Sequence, residues 1–162
     1  MQKSGLRALS LSSIVLGLVS CGVNSLQHDL RLANESKFTA FNGSLSSGYV
    51  ALADRLETSD DFTEELAFHL NRKAIFSRNQ KYVLPANVTE GALNEKQATR
   101  LSQERSSLMA YLDGNAREVC PKTAASAQVF FDCVVLLSSS AQDYKWCREN
   151  FAVSMGALER SC

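Results

Sequence analysis

The chain has 162 residues, 45% of them hydrophobic, with 17 basic and 17 acidic side chains. That length allows one domain once a leader is set aside. The balanced charge leaves no basic footprint, so binding of nucleic acid through a net field is excluded.

The chain opens with Lys3 and Arg7, followed by an apolar run from Leu9 to Val19 that serines interrupt. As a helix this run is too short to cross a hydrocarbon layer of about 30 Å, and it suits an export signal. It closes in Leu18-Val19-Ser20-Cys21. That tetrad resembles a bacterial lipobox, with small Ser20 before the cysteine and apolar Leu18 three before it. The resemblance implies removal of residues 1–20 and acylation of Cys21, which becomes a membrane anchor. One acyl chain binds a bilayer marginally, whereas two or three hold a protein for long times. Gly22 stands where an aspartate would favour inner-membrane retention, which points to the periplasmic face of the outer membrane.

Residues 22–44 have no clear apolar period and read, with Cys21, as a lipidated flexible tether spanning 21–44. The folded domain is then expected over 45–162. Leu45, Tyr49, Leu52 and Leu56 recur at helical steps and predict a first helix. Asp61 and Glu64 have capping-box spacing before a second helix from Phe62 to Arg78, whose stripe is Phe62, Leu66, Leu70 and Ala74. His69 lies beside that stripe and reads as a core-edge side chain. Asn79 to Val88 is expected as a loop, since Pro85 lacks an amide hydrogen and restricts Leu84 before it.

Asn94 is placed to cap a third helix that runs to about Asp113, with Ala98, Leu101, Leu108 and Leu112 on one stripe. Arg105 falls on the same stripe, and its default is to reach outward with its charge in water. Asp113-Gly114-Asn115 offers a stop in which glycine or asparagine takes the left-handed conformation. Pro121 suits the first turn of the next helix. That helix carries two adjacent apolar stripes, Ala127, Phe130, Val134, Leu137 and Ala124, Phe131, Val135, and so is expected at the centre of the bundle. Gln128 and Asp132 sit in this apolar context and require hydrogen-bond partners, for which Arg105 is a candidate. The last helix, about Asp143 to Arg160, places Tyr144, Cys147, Phe151, Met155 and Leu158 on one face.

Four of the five cysteines fall in this C-terminal pair of helices. The midpoint of Cys133 and Cys147 is position 140, and that of Cys120 and Cys162 is 141. In an antiparallel hairpin that turns near Ser139 and Ser140, both couples lie opposite each other, which favours two nested disulfides in an oxidising compartment. Four cysteines allow three pairings, and the outer couple, at the helix ends, stays open on sequence alone. Intervals of 13, 14 and 15 residues lack the short paired spacing of a structural zinc site. No metal is therefore expected. The sequence also holds no nucleophile elbow, phosphate loop or nicotinamide fingerprint, so neither catalysis nor a cofactor is expected.

The segment Ala125-x-Ala127-Gln128-x-x-Phe131-Asp132-Cys133, with Cys147-Arg148-x-x-Phe151, resembles the helical N-terminal region of OmpA-like outer-membrane lipoproteins of alphaproteobacteria. Lys73-Ala74, Pro85 and Arg105-x-x-Leu108-Met109-x-x-Leu112-Asp113 extend the likeness upstream. The resemblance implies an anchored helical domain with the inner disulfide. It does not carry over peptidoglycan binding, which in that family belongs to a separate OmpA-type domain without a counterpart in these residues. Val134 stands where the family pattern often has a tryptophan, and Cys120 and Cys162 are additions to it.

The expectation is thus an all-α, disulfide-braced bundle of about five helices with a C-terminal hairpin. Its expected role is noncatalytic: structural, or docking to an envelope protein, with the acyl chains on Cys21 in the membrane. The alternative is a periplasmic carrier or sensor holding an apolar ligand between helices, with Phe130, Phe131, Phe151 and Met155 lining the space.

Overall fold

A computed structural model describes residues 39–60, 62–137 and 142–162. Among these residues the structure is all-α, with helices α1 (Thr39–Leu56), α2 (Glu64–Arg78), α3 (Glu95–Asp113), α4 (Ala116–Val119), α5 (Pro121–Leu136) and α6 (Tyr144–Ser161). A single 3-10 turn, Val88–Glu90, lies between α2 and α3. The count exceeds five because the residues after Gly114 form a separate short helix, α4, before Pro121 starts α5.

The apolar stripes form the core as their periods predict. Leu45, Tyr49, Leu52 and Leu56 of α1 are buried, as are Leu66, Leu70 and Ala74 of α2 and Leu101, Leu108 and Leu112 of α3. Helix α5 is central and packs against α1, α3, α4, α6 and the 3-10 turn. Its breadth explains this position: Ala124, Ala125, Ala127, Val129, Phe131, Val134 and Val135 are all buried, and only Ser126 and Phe130 of its middle turns stay half-buried.

Two boundaries differ from expectation. The first described helix, α1, reaches back to Thr39, so the stretch 39–44 is helical and belongs to α1 instead of the tether. Phe41 extends the stripe one turn toward the N-terminus, and the buried Asn42 gives its amide to Gln80 Oε1 at 3.3 Å. Helix α2 begins at Glu64, and its cap is Thr63, whose hydroxyl accepts from the Leu66 amide at 3.1 Å. The predicted cap, Asp61, lies outside the described residues. So do Cys21 with its lipobox and the turn at Ser139 and Ser140.

Helix ends otherwise follow local chemistry. Asn94 and Gln97 form a reciprocal capping box at the start of α3, and Asn87 and Glu90 do the same for the 3-10 turn. The left-handed residue, however, is not in the Gly114-Asn115 stop, where φ is −73° and −117°. The chain there bends directly into α4 and needs no reversal. Gln80 takes that conformation instead, with φ 57°. Its amide bonds to Ser77 O, and the Lys81 amide bonds to Phe76 O, closing α2 with a Schellman motif.

Both disulfides form the nested pattern. Cys133 pairs with Cys147 across a Cα–Cα distance of 5.9 Å, and Cys120 with Cys162 across 6.1 Å. The two bridges make α5 and α6 antiparallel, since each joins the end of one helix to the opposite end of the other. The inner bridge is buried and the outer one half-buried.

Candidate functional site

Between α2 and the 3-10 turn the chain runs without regular structure through Val83-Leu84-Pro85-Ala86, and Val83, Pro85 and Ala86 are buried. A buried loop must find partners for its backbone, because an unpaired amide or carbonyl away from water costs as much as a lost hydrogen bond. Here four consecutive carbonyls each accept from a side chain. Gln128 Nε2 donates to Val83 O at 3.0 Å, Lys73 Nζ to Leu84 O at 2.9 Å, Arg105 to Pro85 O at 3.1 Å, and Arg105 Nε to Ala86 O at 2.9 Å. Donors from α2, α3 and α5 thereby clasp one strap of chain.

Asp132 is the centre of this clasp. Its side chain is fully buried, with Lys73 Nζ 2.7 Å from Oδ2. The Tyr49 hydroxyl donates to the same oxygen at 2.5 Å, and the Ala86 amide donates to Oδ1 at 2.7 Å. A buried carboxylate is tolerated when it is paired and its remaining lone pairs are met, and this one satisfies both conditions. Burial, first, and then the Asp132 charge and hydrogen bond hold the Tyr49 hydroxyl well above the usual tyrosine range. Gln128 adds a longer bond to Tyr49 Oη at 3.4 Å, and its own carbonyl oxygen meets no donor among the described residues.

The sequence-predicted residues are therefore brought to one place but wired differently. Gln128 and Asp132 are buried and hydrogen-bonded as required. Arg105 is not their partner. It is half-buried and spends two nitrogens on the loop carbonyls, neither reaching outward nor meeting an acid. The cation on Asp132 is Lys73, which lies outside the apolar stripe of Phe62, Leu66, Leu70 and Ala74. The signal was present, since Lys73 lies three residues after Leu70 on the buried face of α2, where a lysine needs an acid or a carbonyl. Tyr49, on the apolar stripe of α1, also carries a hydroxyl that requires a partner once buried. His69 keeps its core-edge place, half-buried, with Nδ1 3.9 Å from Glu90 Oε2.

The aromatic residues expected to line an apolar space do so only in part. Phe131 and Phe151 are buried against each other, with centroids 5.5 Å apart, and Met155 packs on the core. Phe130 faces a groove of about 270 Å³ shared with Gly48, Ala51, Leu52, Val129 and Trp146. Arg55 closes one side, with its guanidinium 3.9 Å over Trp146 and an ion pair to Asp143 at 3.0 Å.

A second ion pair joins α6 to α3. Arg148 meets both oxygens of Glu104, at 2.6 and 2.9 Å, in a bidentate fork, and Arg100 adds a bond at 3.0 Å. Burial pushes the Glu104 carboxyl up, but the hydrogen bonds from Arg148 and Arg100 outweigh it and hold the group below its ordinary value. Among the described residues, no cluster of three His, Cys, Asp or Glu is arranged to hold a metal ion. No helix among them is long and apolar enough to cross a membrane. No family model, curated protein or solved structure matches this chain.

Proposed function

We infer that this chain is a noncatalytic lipoprotein of the outer membrane, anchored through Cys21, whose helical domain serves a structural or docking role at the periplasmic face. The observation that supports a noncatalytic reading is the clasp. Asp132, Lys73 and Tyr49 form a buried cluster of ionisable groups, and they spend their polar atoms on one another and on the loop backbone. An acid whose two oxygens accept three internal donors is a structural tie. The disulfides support an oxidising compartment.

For docking, α2 offers Phe68 and Ile75, 62% and 56% exposed and seven residues apart, hence on one face of the helix. Metabolic labelling with palmitate tests the anchor: wild type takes up label and Cys21→Ala does not, and label persisting in that variant would sink the assignment. A photocrosslinker at position 68 tests the docking face. It should capture an envelope protein that the same group at exposed Lys145 fails to capture; equal capture at both sites would remove the face from the reading.

A second reading, a carrier of an apolar ligand, is favoured by the groove beside Phe130 and Trp146. Trp146 is the single tryptophan of the chain, so its fluorescence reports occupancy directly. A ligand that copurifies in native mass spectrometry and whose removal shifts that emission would support the carrier; an empty domain would remove it.

A further inference from the structure

The outer side of the clasped loop borders a cavity of about 250 Å³, lined by Arg72, Phe76, Leu84, Pro85, Asn87 and Arg105 among others. We propose that this cavity is a binding site for a small ring-bearing carboxylate, with Arg105 as its anchor.

The charge of Arg105, which no acid among the described residues answers, carries the proposal. Lys73 borders the cavity too, but its charge is answered by Asp132 directly beneath. Glu90, the acid on the rim, accepts from the Asn87 amide at 2.8 Å and turns its other oxygen toward His69. Arg105 is in a different position. It is half-buried, and both of its partners are neutral carbonyls; among the described residues it forms no ion pair. A guanidinium has five N–H donors. Two bonds to carbonyls leave donors to spare, on a charge that its partners orient without neutralising. A carboxylate is the group that matches the remaining fork in geometry and in sign.

Shape selects the rest of the ligand. Phe76, Leu84 and Pro85 supply apolar walls, and an enclosed space of about 150 Å³ is enough for benzene. The larger volume here admits one ring with its acid group. Recognition of this kind, apolar walls with a few convergent polar groups, is the usual construction of a small-molecule site. The carbonyls that hold Arg105 come from the loop that α2, α3 and α5 clasp together, so the anchor is positioned before any ligand arrives.

The test uses the full oxidised chain and benzoate as the probe. Thermal unfolding in sodium benzoate is compared with sodium chloride of equal ionic strength and with benzamidinium chloride, which has the same ring and the opposite charge. Benzoate should raise the midpoint beyond the chloride control, saturably, and benzamidinium should not. Arg105→Gln should weaken benzoate affinity about tenfold or more, the loss expected for a charge-assisted contact. Because that variant also loosens the loop, a titration of the ¹⁵N-labelled wild type is run beside it. The Arg105 Nε–H signal and the backbone amides of Leu84, Ala86 and Asn87 should shift along one saturating curve. The proposal is overturned if benzoate does no more than chloride, if benzamidinium stabilises equally, if Arg105→Gln keeps the full effect, or if the shifts fall elsewhere.

Discussion

Lys73 Nζ and Asp132 Oδ2 lie 2.7 Å apart with the carboxylate fully out of water, tying α2 to the central helix at the point where the clasped loop crosses both. Removing one partner strands the other as a buried charge. Asp132→Asn or Lys73→Met should therefore cost about 3–5 kcal/mol of stability each. The double variant Lys73→Met with Asp132→Asn should cost much less than the two losses added together. Urea unfolding of the four proteins as a double-mutant cycle measures the coupling, and additive losses would refute it.

The two bridges should differ in accessibility. Cys133 and Cys147 are 1% and 0% exposed, whereas Cys120 and Cys162 are half-buried at helix ends. Under mild reductant the outer pair should open first while the fold persists. The inner pair should react only on unfolding, since exchange requires access for the attacking thiolate. Pulse alkylation followed by peptide mapping reads the order directly. Replacing either pair by alanine should cost about 2–5 kcal/mol.

Glycine positions predict opposite signs. A Cβ at Gly91 would fall on the Val135 carbonyl oxygen of α5, so Gly91→Ala should force the loop off the central helix and destabilise the domain. A Cβ at Gly43, within α1, meets nothing within 4 Å. Gly43→Ala should stabilise by about 0.5–1 kcal/mol, the ordinary gain in a helix interior. Thermal midpoints of the two variants, measured together, check both directions.

Stability should fall at both ends of the pH range, for separate reasons. The Glu104 carboxyl is held below its ordinary value, so the folded state keeps it charged after the unfolded chain has protonated at about pH 4.3. Its contribution is present above that pH and is lost as pH drops through the lower folded value. Tyr49 is raised, so above about pH 10 the unfolded chain releases a proton that the folded one retains, and stability declines with rising pH. Glu104→Gln should flatten the acid slope. Tyr49→Phe should flatten the alkaline one in part, because Tyr82, also raised by burial, keeps a share. Denaturant midpoints across pH 3–11 decide, and unchanged slopes would refute both assignments.

Much of the architecture was legible in the residues alone. The helical stripes, the Asn94 cap, Pro121 at a helix start and the mirrored cysteines are local or nearly local signals. Their physics acts within a turn of helix or between two neighbouring helices. The requirement that Gln128 and Asp132 be paired was equally plain, because an amide or a carboxylate in an apolar stripe has no other solution. Which groups pair with them was not. Asp132 meets Lys73 from 59 residues away, Tyr49 from 83 and the Ala86 amide from 46. Arg105 satisfied the same sequence criterion as Lys73, yet it was drawn to the loop carbonyls. The choice between them, and the cavity that follows from it, depends on where three helices place one buried loop. The need of its carbonyls for side-chain donors arises only once the chain has closed around it.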